Sequence, residues 1–253
     1  EVQPRDYEFR VKFPGKYEVR PNTIIEEIAN QLTADGKVSI YAHIPQCMYR
    51  CNFCTYAVTL SGNADEDGYR LLKERDALYK IIPLDKVKTT SLYFGGGTPT
   101  TLSPDGINDL VKGLVDQLQV TPETEITMEG SPDTIDEDKI QAAKRAGITR
   151  FSVGVQTFND DILNECNRKH TAREAEDAIE LLCKSGFKEV NVDLMRGLPH
   201  QTLEGFIGDL LHVVSYDPET IHAYRMRIMR KGELPTVFER NQEQLALPSI
   251  EDV

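Results

Sequence analysis

Strand-like and helix-like segments alternate from about residue 23 to residue 228, and this alternation restricts the fold more than any other feature of the sequence. Such an order of elements builds a parallel sheet with helices packed outside it. Strands are predicted at 37–44, 89–94, 125–128, 150–155, 188–194 and 220–228. Helices are predicted at 23–33, 103–118, 136–146, 172–185 and 203–214, and a further helix ends near residue 81. Six strands are fewer than the eight of a complete barrel, so we predict an α/β fold with an open or partial (β/α)6 barrel.

The same pattern suggests how the chain is organised. Residues 1–36 are expected to form an N-terminal extension, residues 37–230 the barrel domain, and residues 231–253 the start of a truncated C-terminal region. In parallel α/β folds, ligands bind at the carboxyl ends of the strands. Residues that support chemistry are therefore expected at these ends.

Cys47, Cys51 and Cys54 follow the first predicted strand with the spacing C-x3-C-x2-C. Three thiolates on one tight loop can hold three irons of a 4Fe-4S cluster, and the fourth iron is then open for chemistry. The remaining two cysteines lie more than a hundred residues further along the chain. The residue pattern leaves two alternatives open, a structural zinc site with His43 as fourth ligand and three unliganded cysteines.

Glycines and unusual polar residues lie at the ends of the next four predicted strands or just beyond them. They are Gly95, Gly96, Gly97, Glu129, Gln156, Arg168 and Asp193. A run of glycines allows the backbone to approach a small polar ligand, although it also occurs in plain tight connections. Each charged side chain, taken alone, could be a solvated strand end or a paired buried group. Five strands that deliver cysteines or polar groups to one rim together favour a binding site.

Composition limits the partners that we expect. The chain of 253 residues has 41 acidic and 29 basic residues and a formal charge of −12, which argues against non-specific nucleic-acid binding. No apolar run approaches the roughly 18 residues of a membrane span, and no basic-then-apolar leader opens the sequence, so no membrane partner is expected. Five cysteines without the spacing of a disulfide framework suggest a reducing compartment, and we predict a cytoplasmic protein.

Several motifs, taken in order, resemble one known family. They are Tyr41-Ala42-His43-Ile44-Pro45 leading into the cysteine triplet, Gly95-Gly96-Gly97-Thr98-Pro99, Ser152–Phe158, Asn167-Arg168 and Asn191–Pro199. This series is similar to the radical S-adenosylmethionine (SAM) superfamily, and more narrowly to its oxygen-independent coproporphyrinogen III oxidase-like (HemN-like) branch. The resemblance covers about residues 37–230.

The resemblance implies a 4Fe-4S cluster held by the three cysteines, whose open iron chelates the amino and carboxylate groups of SAM. One-electron reduction would then release methionine and a 5′-deoxyadenosyl radical that abstracts hydrogen from the substrate. An external reductase such as a flavodoxin or ferredoxin would supply the electron. Branch members often bind a second SAM, and Met195 lies in the matching neighbourhood.

By the same resemblance, the backbone of Gly95, Gly96, Gly97 and Thr98 would contact the methionine amino group, and Arg168 its carboxylate. Glu129, Gln156 and Asp193 match further cofactor contacts in the family. Tyr41 and Phe53 would flank the cluster and the adenine. These residues, with Met195, form the predicted cofactor site.

The substrate does not follow from the resemblance, because two signatures differ. Coproporphyrinogen oxidases have Phe where this chain has Gln46. After the third cysteine, this chain has Thr55-Tyr56-Ala57, where the oxidases have a Gly-Cys-Asn run and the haem-chaperone relatives an Asp-Phe pair. We therefore predict methyl or methylene transfer to a specialised small molecule or peptide. The alternatives are tetrapyrrole chemistry, as propionate decarboxylation or anaerobic haem-ring opening, and haem delivery without catalysis on the same scaffold.

Overall fold

The computed structural model of the protein describes residues 36–80 and 86–226. Within them, six parallel strands form one sheet in the sequential order β1-β2-β3-β4-β5-β6. The strands are β1 Lys37–Ile44, β2 Lys88–Gly96, β3 Glu125–Gly130, β4 Arg150–Gln156, β5 Glu189–Arg196 and β6 Thr220–Arg225. In the described part of the chain, β1 and β6 are the two edges of this sheet. The prediction of an open (β/α)6 architecture is thus confirmed.

Six α-helices connect these strands in the described ranges. They are α1 Ala64–Tyr79, α2 Pro104–Val115, α3 Glu137–Ala146, α4 Asp160–Glu165, α5 Ala172–Ser185 and α6 Leu203–Val214. Side-chain caps start them where the sequence offers Ser, Thr, Asp or Asn, as at Thr171, whose capping box pairs with Glu174. Gly147 and Gly186 end α3 and α5 in the left-handed conformation that glycine adopts without strain.

Some predicted boundaries differ from the structure. Helix α2 ends at Val115 rather than near residue 118, and the six-residue helix α4 was not predicted. A helix this short has too few turns to show an apolar period. The predicted helix at 23–33 and the limits of the segments 1–36 and 231–253 lie outside the described residues, so these remain predictions.

The two faces of the sheet differ sharply. One face packs against the helices through buried apolar side chains, including Leu92, Phe94, Met128, Phe151, Val153 and Val192. Full burial of one such side chain contributes roughly 1.5–3 kcal/mol, so this face anchors the sheet. The opposite, inner face is polar, and its residues include Tyr41, Tyr93, Glu129, Ser152, Asp193 and His222. None of the helices in the described residues is long and apolar enough to cross a membrane.

Candidate active site

The cysteine loop connects β1 to α1 at the carboxyl end of the sheet. Its backbone folds back on itself, since Cys47 N–H donates to Thr59 O at 2.9 Å and Thr59 N–H donates to Pro45 O at 2.8 Å. A tight turn follows, in which Cys54 N–H donates to Cys51 O at 3.1 Å. All three cysteines are half-buried free thiols, so one short loop offers three soft ligands to one space.

The glycine run holds this loop against β2. Gly97 N–H donates to Ile44 O at 2.7 Å, and Thr98 N–H donates to Gln46 O at 2.8 Å. A Cβ on Gly97 would lie 2.5 Å from the Gln46 carbonyl oxygen, closer than real contacts allow. Glycine is therefore required here for close backbone packing, and the cysteine loop depends on it. The same contact brings the Thr98 hydroxyl to 3.5 Å from the Cys47 sulfur.

An open cleft lies above the carboxyl ends of the strands, with about 900 Å³ of empty space including its mouth. It brings together eleven of the predicted site residues: Cys47, Cys51, Phe53, Cys54, Gly96, Gly97, Thr98, Glu129, Gln156, Arg168 and Asp193. The predicted residues Tyr41, Gly95 and Met195 do not line it. The alternation of strands and helices thus gathers distant polar residues at one place, as expected for this class of fold.

Arg168 links the cysteine loop to the sheet from a buried position. Its guanidinium donates to Gly154 O at 2.5 Å, to Ser131 Oγ at 2.8 Å and to the Cys51 sulfur at 3.4 Å. The side chain is only 8% exposed, and its Nε has no hydrogen-bond partner. A buried cation that lines the cleft beside the Cys51 thiol suits an anionic ligand there.

The segment after α4 fastens the cysteine loop from the other side. Asn52 donates through its backbone N–H to Cys166 O at 3.0 Å and through its side chain to Glu165 O at 2.6 Å. Asn167 donates to Arg50 O at 2.7 Å. Phe53 packs against a small apolar cluster that includes Cys166, Ile162, Leu198 and Met195. Cys166 therefore serves packing in this structure.

Two carboxylates face the cleft from neighbouring parts of the inner face. Glu129 accepts from Tyr93 OH at 2.7 Å and from Gly96 N–H at 3.4 Å. Asp193 accepts from the Asn191 amide at 2.7 Å and from Ser152 Oγ at 3.0 Å. Burial raises the pKa of both carboxyl groups, and their hydrogen bonds oppose the rise. Both are thus fixed acceptors that can also bind the hydroxyl groups of a ligand.

Gln156 ends β4 in a strained conformation. Its φ is +77°, in the left-handed region that side chains other than glycine rarely adopt. The register with β5 shifts between Gly154 and Gln156, which is the mark of a β-bulge. His170 lies buried beside the bulge, with Nε2 at 3.1 Å from Val155 O. Strain at a cleft-facing residue is typical of binding sites, where the surroundings hold it in place.

The donor set fits a cluster chemically. Three thiols on one short loop match the thiolate ligands of a 4Fe-4S cluster, and since burial raises the pKa of the Cys47 and Cys54 thiols, binding of a cluster would release their protons. Among the residues that the structure describes, no three His, Cys, Asp or Glu side chains are close enough to share one metal ion. The three thiols, the buried guanidinium and the glycine cradle nevertheless line a single space.

Several residues of the site were not predicted from the sequence. Tyr49 OH donates to Asp133 at 3.1 Å on the cleft wall, and His222 lies beside the cleft residue Asp193 without lining the cleft itself. Strand alternation could have identified Ser152, which lies two residues from Gly154 on the same face. Nothing in the sequence pairs β6 with β5, so His222 could not have been placed beside Asp193.

Comparisons with known proteins agree with this geometry. The family model described as "Radical SAM superfamily" matches residues 41–213. The heme chaperone HemW of Escherichia coli is 36% identical over 194 residues, which covers 76% of this chain and 51% of that protein. Anaerobic coproporphyrinogen III oxidase 1 of Cereibacter sphaeroides is 30% identical over 220 residues, covering 81% and 48%.

The fold comparison points the same way. The structure of Escherichia coli coproporphyrinogen III oxidase (HemN), a radical SAM enzyme by its description, superimposes with a TM-score of 0.70 at 30% identity. The match covers 85% of this chain and 49% of that one. The chain thus spans about half the length of the curated relatives that it matches.

Proposed function

This chain belongs to the radical SAM superfamily, in its HemN-like branch, and we propose that it cleaves SAM reductively at a 4Fe-4S cluster in order to act on a tetrapyrrole. The observation that supports this most directly is the meeting of Cys47, Cys51 and Cys54 with buried Arg168 in one cleft. A bound cluster would supply the single electron that breaks a carbon–sulfur bond of SAM. The protein's own residues bind, orient and shield the cofactor.

The methionine half of SAM would lie between the cysteine loop and β4. Arg168 would be the donor for its carboxylate, because its guanidinium lines the cleft and is largely shielded from water. The backbone beside Gly96, Gly97 and Thr98 lines the same cleft and would accept from the amino group, since glycine has no side chain to cover it.

The nucleoside half would lie over the inner face. Glu129 and Asp193 are held by fixed donors, so each has lone pairs directed for ribose hydroxyl groups. Gln156, held in its strained conformation, would present an amide to the same half. Phe53 would pack beside the adenine from its apolar cluster. We extend this proposal to a second SAM molecule, which would bind beside Met195.

The relatives favour a tetrapyrrole over methyl transfer as the finer function. Our sequence-based prediction was methyl or methylene transfer, with tetrapyrrole chemistry and haem delivery as alternatives. Proteins named for coproporphyrinogen oxidation and for haem delivery match this chain at 30–36% identity. Neither these relatives nor the HemN structure is named for methyl transfer. We therefore place tetrapyrrole chemistry first.

Haem delivery is the second candidate, because HemW is the relative with the higher identity of the two. The two functions share the cleft and differ in turnover. A chaperone would bind haem stoichiometrically without consuming SAM. An oxidase or ring-opening enzyme would form 5′-deoxyadenosine in proportion to a changed tetrapyrrole.

The test is an anaerobic reconstitution with iron and sulfide, followed by SAM, a reductant such as reduced flavodoxin, and coproporphyrinogen III or haem. We expect four irons per chain, 5′-deoxyadenosine, and a tetrapyrrole of altered mass. Stoichiometric zinc without iron or sulfide contradicts the cluster assignment. S-adenosylhomocysteine as a product supports methyl transfer instead, and haem binding without 5′-deoxyadenosine supports the chaperone. Equilibrium dialysis of SAM gives its stoichiometry, which is two if the Met195 neighbourhood binds a second molecule.

A further inference from the structure

The β-bulge that ends β4 contains Val155 as its extra residue. In the parallel register with β5, Gly154 lies opposite Asp193 and Gln156 lies opposite Leu194, so two steps along β4 correspond to one step along β5. The φ of Gln156 is +77°. A side chain other than glycine adopts this conformation at a cost in free energy, so surrounding contacts have to hold it there.

The left-handed conformation of Gln156 places its side chain over the glycine two residues before it. A Cβ on Gly154 would lie 2.9 Å from Gln156 Nε2 and 3.9 Å from Arg168 Nη2. The amide and the guanidinium therefore flank the same glycine, and both side chains line the cleft. In a regular strand, side chains two residues apart stand side by side, about 6.6 Å from each other. The position of the Gln156 amide thus depends on the bulge.

Two side chains of one segment bind the two carbonyl groups of the bulge. Arg168 Nη2 donates to Gly154 O at 2.5 Å, and His170 Nε2 lies 3.1 Å from Val155 O. Burial lowers the pKa of His170 to about 4, so at neutral pH the ring has one N–H, and a carbonyl partner requires it to be on Nε2. The ring is buried, and its Nδ1 has no hydrogen-bond partner in the described part of the chain. The bond to Val155 is therefore the polar contact through which this ring acts.

The segment that carries His170 is fixed by contacts of its own. Arg168 N–H donates to Leu163 O at 2.8 Å, and Thr171 caps α5 through a capping box with Glu174. These bonds set the backbone on both sides of His170 without using its ring. The imidazole is therefore not needed to hold its own segment, and its hydrogen bond serves the bulge.

We propose that His170 is a positioning residue, which holds the β4 bulge through Val155 O and thereby keeps the Gln156 amide beside Arg168 in the cleft. It would not itself touch the cofactor, because the ring is buried and does not line the cleft. This inference rests on the proposed function, which assigns Gln156 and Arg168 to SAM. It also gives a function to a buried polar side chain that the cofactor contacts leave unused.

Hydrogen exchange of the cluster-free full chain tests the contact itself. His170→Leu keeps an apolar side chain in the buried site but removes the donor to Val155 O. We expect amide exchange in the peptide 150–158 to become about 10-fold faster, which corresponds to about 1.4 kcal/mol and to the loss of one hydrogen bond. His170→Gln, whose side-chain amide replaces the Nε2 donor, should exchange within about 3-fold of wild type.

Thr124→Val is the matched control. Thr124 Oγ1 is another buried donor to a strand carbonyl, Thr89 O at 2.9 Å, but it lies at the amino end of the sheet, away from the cleft. Its loss should change exchange in the peptide 150–158 by less than about 2-fold. If His170→Leu does not fold, His170→Met provides the same test with a more adaptable apolar side chain.

SAM binding by the anaerobically reconstituted chain tests the consequence for the site. The dissociation constant from equilibrium dialysis, measured per bound cluster, should rise about 10-fold in His170→Leu but less than about 3-fold in His170→Gln and in Thr124→Val. Because His170 acts through Gln156, His170→Leu should add less than about 2-fold when Gln156→Ala is already present. A purely structural contribution would lower stability without this dependence on Gln156.

The outcomes separate this inference from the proposed function. Equal exchange in the peptide 150–158 of His170→Leu and wild type overturns the inference. A His170→Leu variant that binds SAM as tightly as wild type also overturns it, and so does an effect on SAM binding that is equally large with and without Gln156→Ala. Wild-type protein that forms its cluster but binds no SAM overturns the proposed function alone, and faster exchange in His170→Leu would then still support His170 as the residue that holds the bulge.

Discussion

Replacing Gly97 with alanine should push the cysteine loop away from β2. A Cβ at this position would lie 2.5 Å from the Gln46 carbonyl oxygen and 2.7 Å from the Pro45 carbonyl oxygen. Both obstacles are backbone atoms, which cannot rotate aside as a side chain can. Relief therefore requires the two segments to separate.

The magnitude follows from the contacts that separation breaks. Ordinary contacts begin near 3.4 Å, so the segments must move apart by about 1 Å. This would break the hydrogen bonds from Gly97 N–H to Ile44 O and from Thr98 N–H to Gln46 O, now 2.7 and 2.8 Å long. Each contributes about 1 kcal/mol net, and residual overpacking costs another 1–3 kcal/mol. We expect a loss of about 3–5 kcal/mol in the free energy of unfolding and a fall in Tm of roughly 10 °C.

Urea denaturation of the cluster-free protein measures this loss, and iron per chain after reconstitution measures its effect on the site. Iron content should also fall, because the movement separates Thr98 from Cys47, now 3.5 Å apart. Gly208→Ala is the control, since a Cβ there meets open space and alanine favours a helix such as α6. A Gly97→Ala variant that unfolds within about 0.5 kcal/mol of wild type and binds full iron would refute the reasoning.

Three further substitutions test other parts of the site. Cys51→Ala should abolish the cluster's visible absorbance and SAM cleavage. The control Cys183→Ala, on α5, should leave both intact. SAM cleavage by the Cys51→Ala variant would contradict the ligand assignment. Burial lowers the pKa of His170 to about 4, below its ordinary 6.5, so its neutral form stabilises the fold above pH 6.5 and this contribution disappears as the pH falls toward 4. It amounts to roughly 3 kcal/mol, and the stability of His170→Gln should decline less than that of wild type between pH 7 and pH 4. Equal slopes would exclude His170 as the cause. Asp209→Ala removes the carboxylate that accepts from Thr157 OH at 2.7 Å and from Phe158 N–H at 3.1 Å. The loss should lower the free energy of unfolding by about 2–4 kcal/mol without changing the iron bound per folded chain. A stability equal to that of wild type would show that these bonds are unimportant.

Local patterns were sufficient for the architecture and for the three candidate cluster ligands. Strand period, helix caps and turn glycines are properties of neighbouring residues, so they predicted six strands, five of the six described helices and the open barrel. The spacing of Cys47, Cys51 and Cys54 is likewise local, and the motifs around it extended the prediction to Arg168, Glu129 and Asp193. Helix α4 was not predicted, because six residues form less than two helical turns and show no apolar period.

Contacts between segments far apart in the chain needed the folded molecule. The hydrogen bond from Asn52 N–H to Cys166 O forms only when loops after different strands meet. The same is true of the buried position of Arg168, whose Nε has no hydrogen-bond partner. The glycine run was predicted to admit a ligand, and the structure adds that Gly97 also admits the loop's own backbone. The position of His222 beside Asp193 depends on the register of an edge strand, which is set by packing against its neighbour. The sequence thus determines which strand or loop carries each reactive side chain, while the pairing of the strands determines which of these side chains share a cleft.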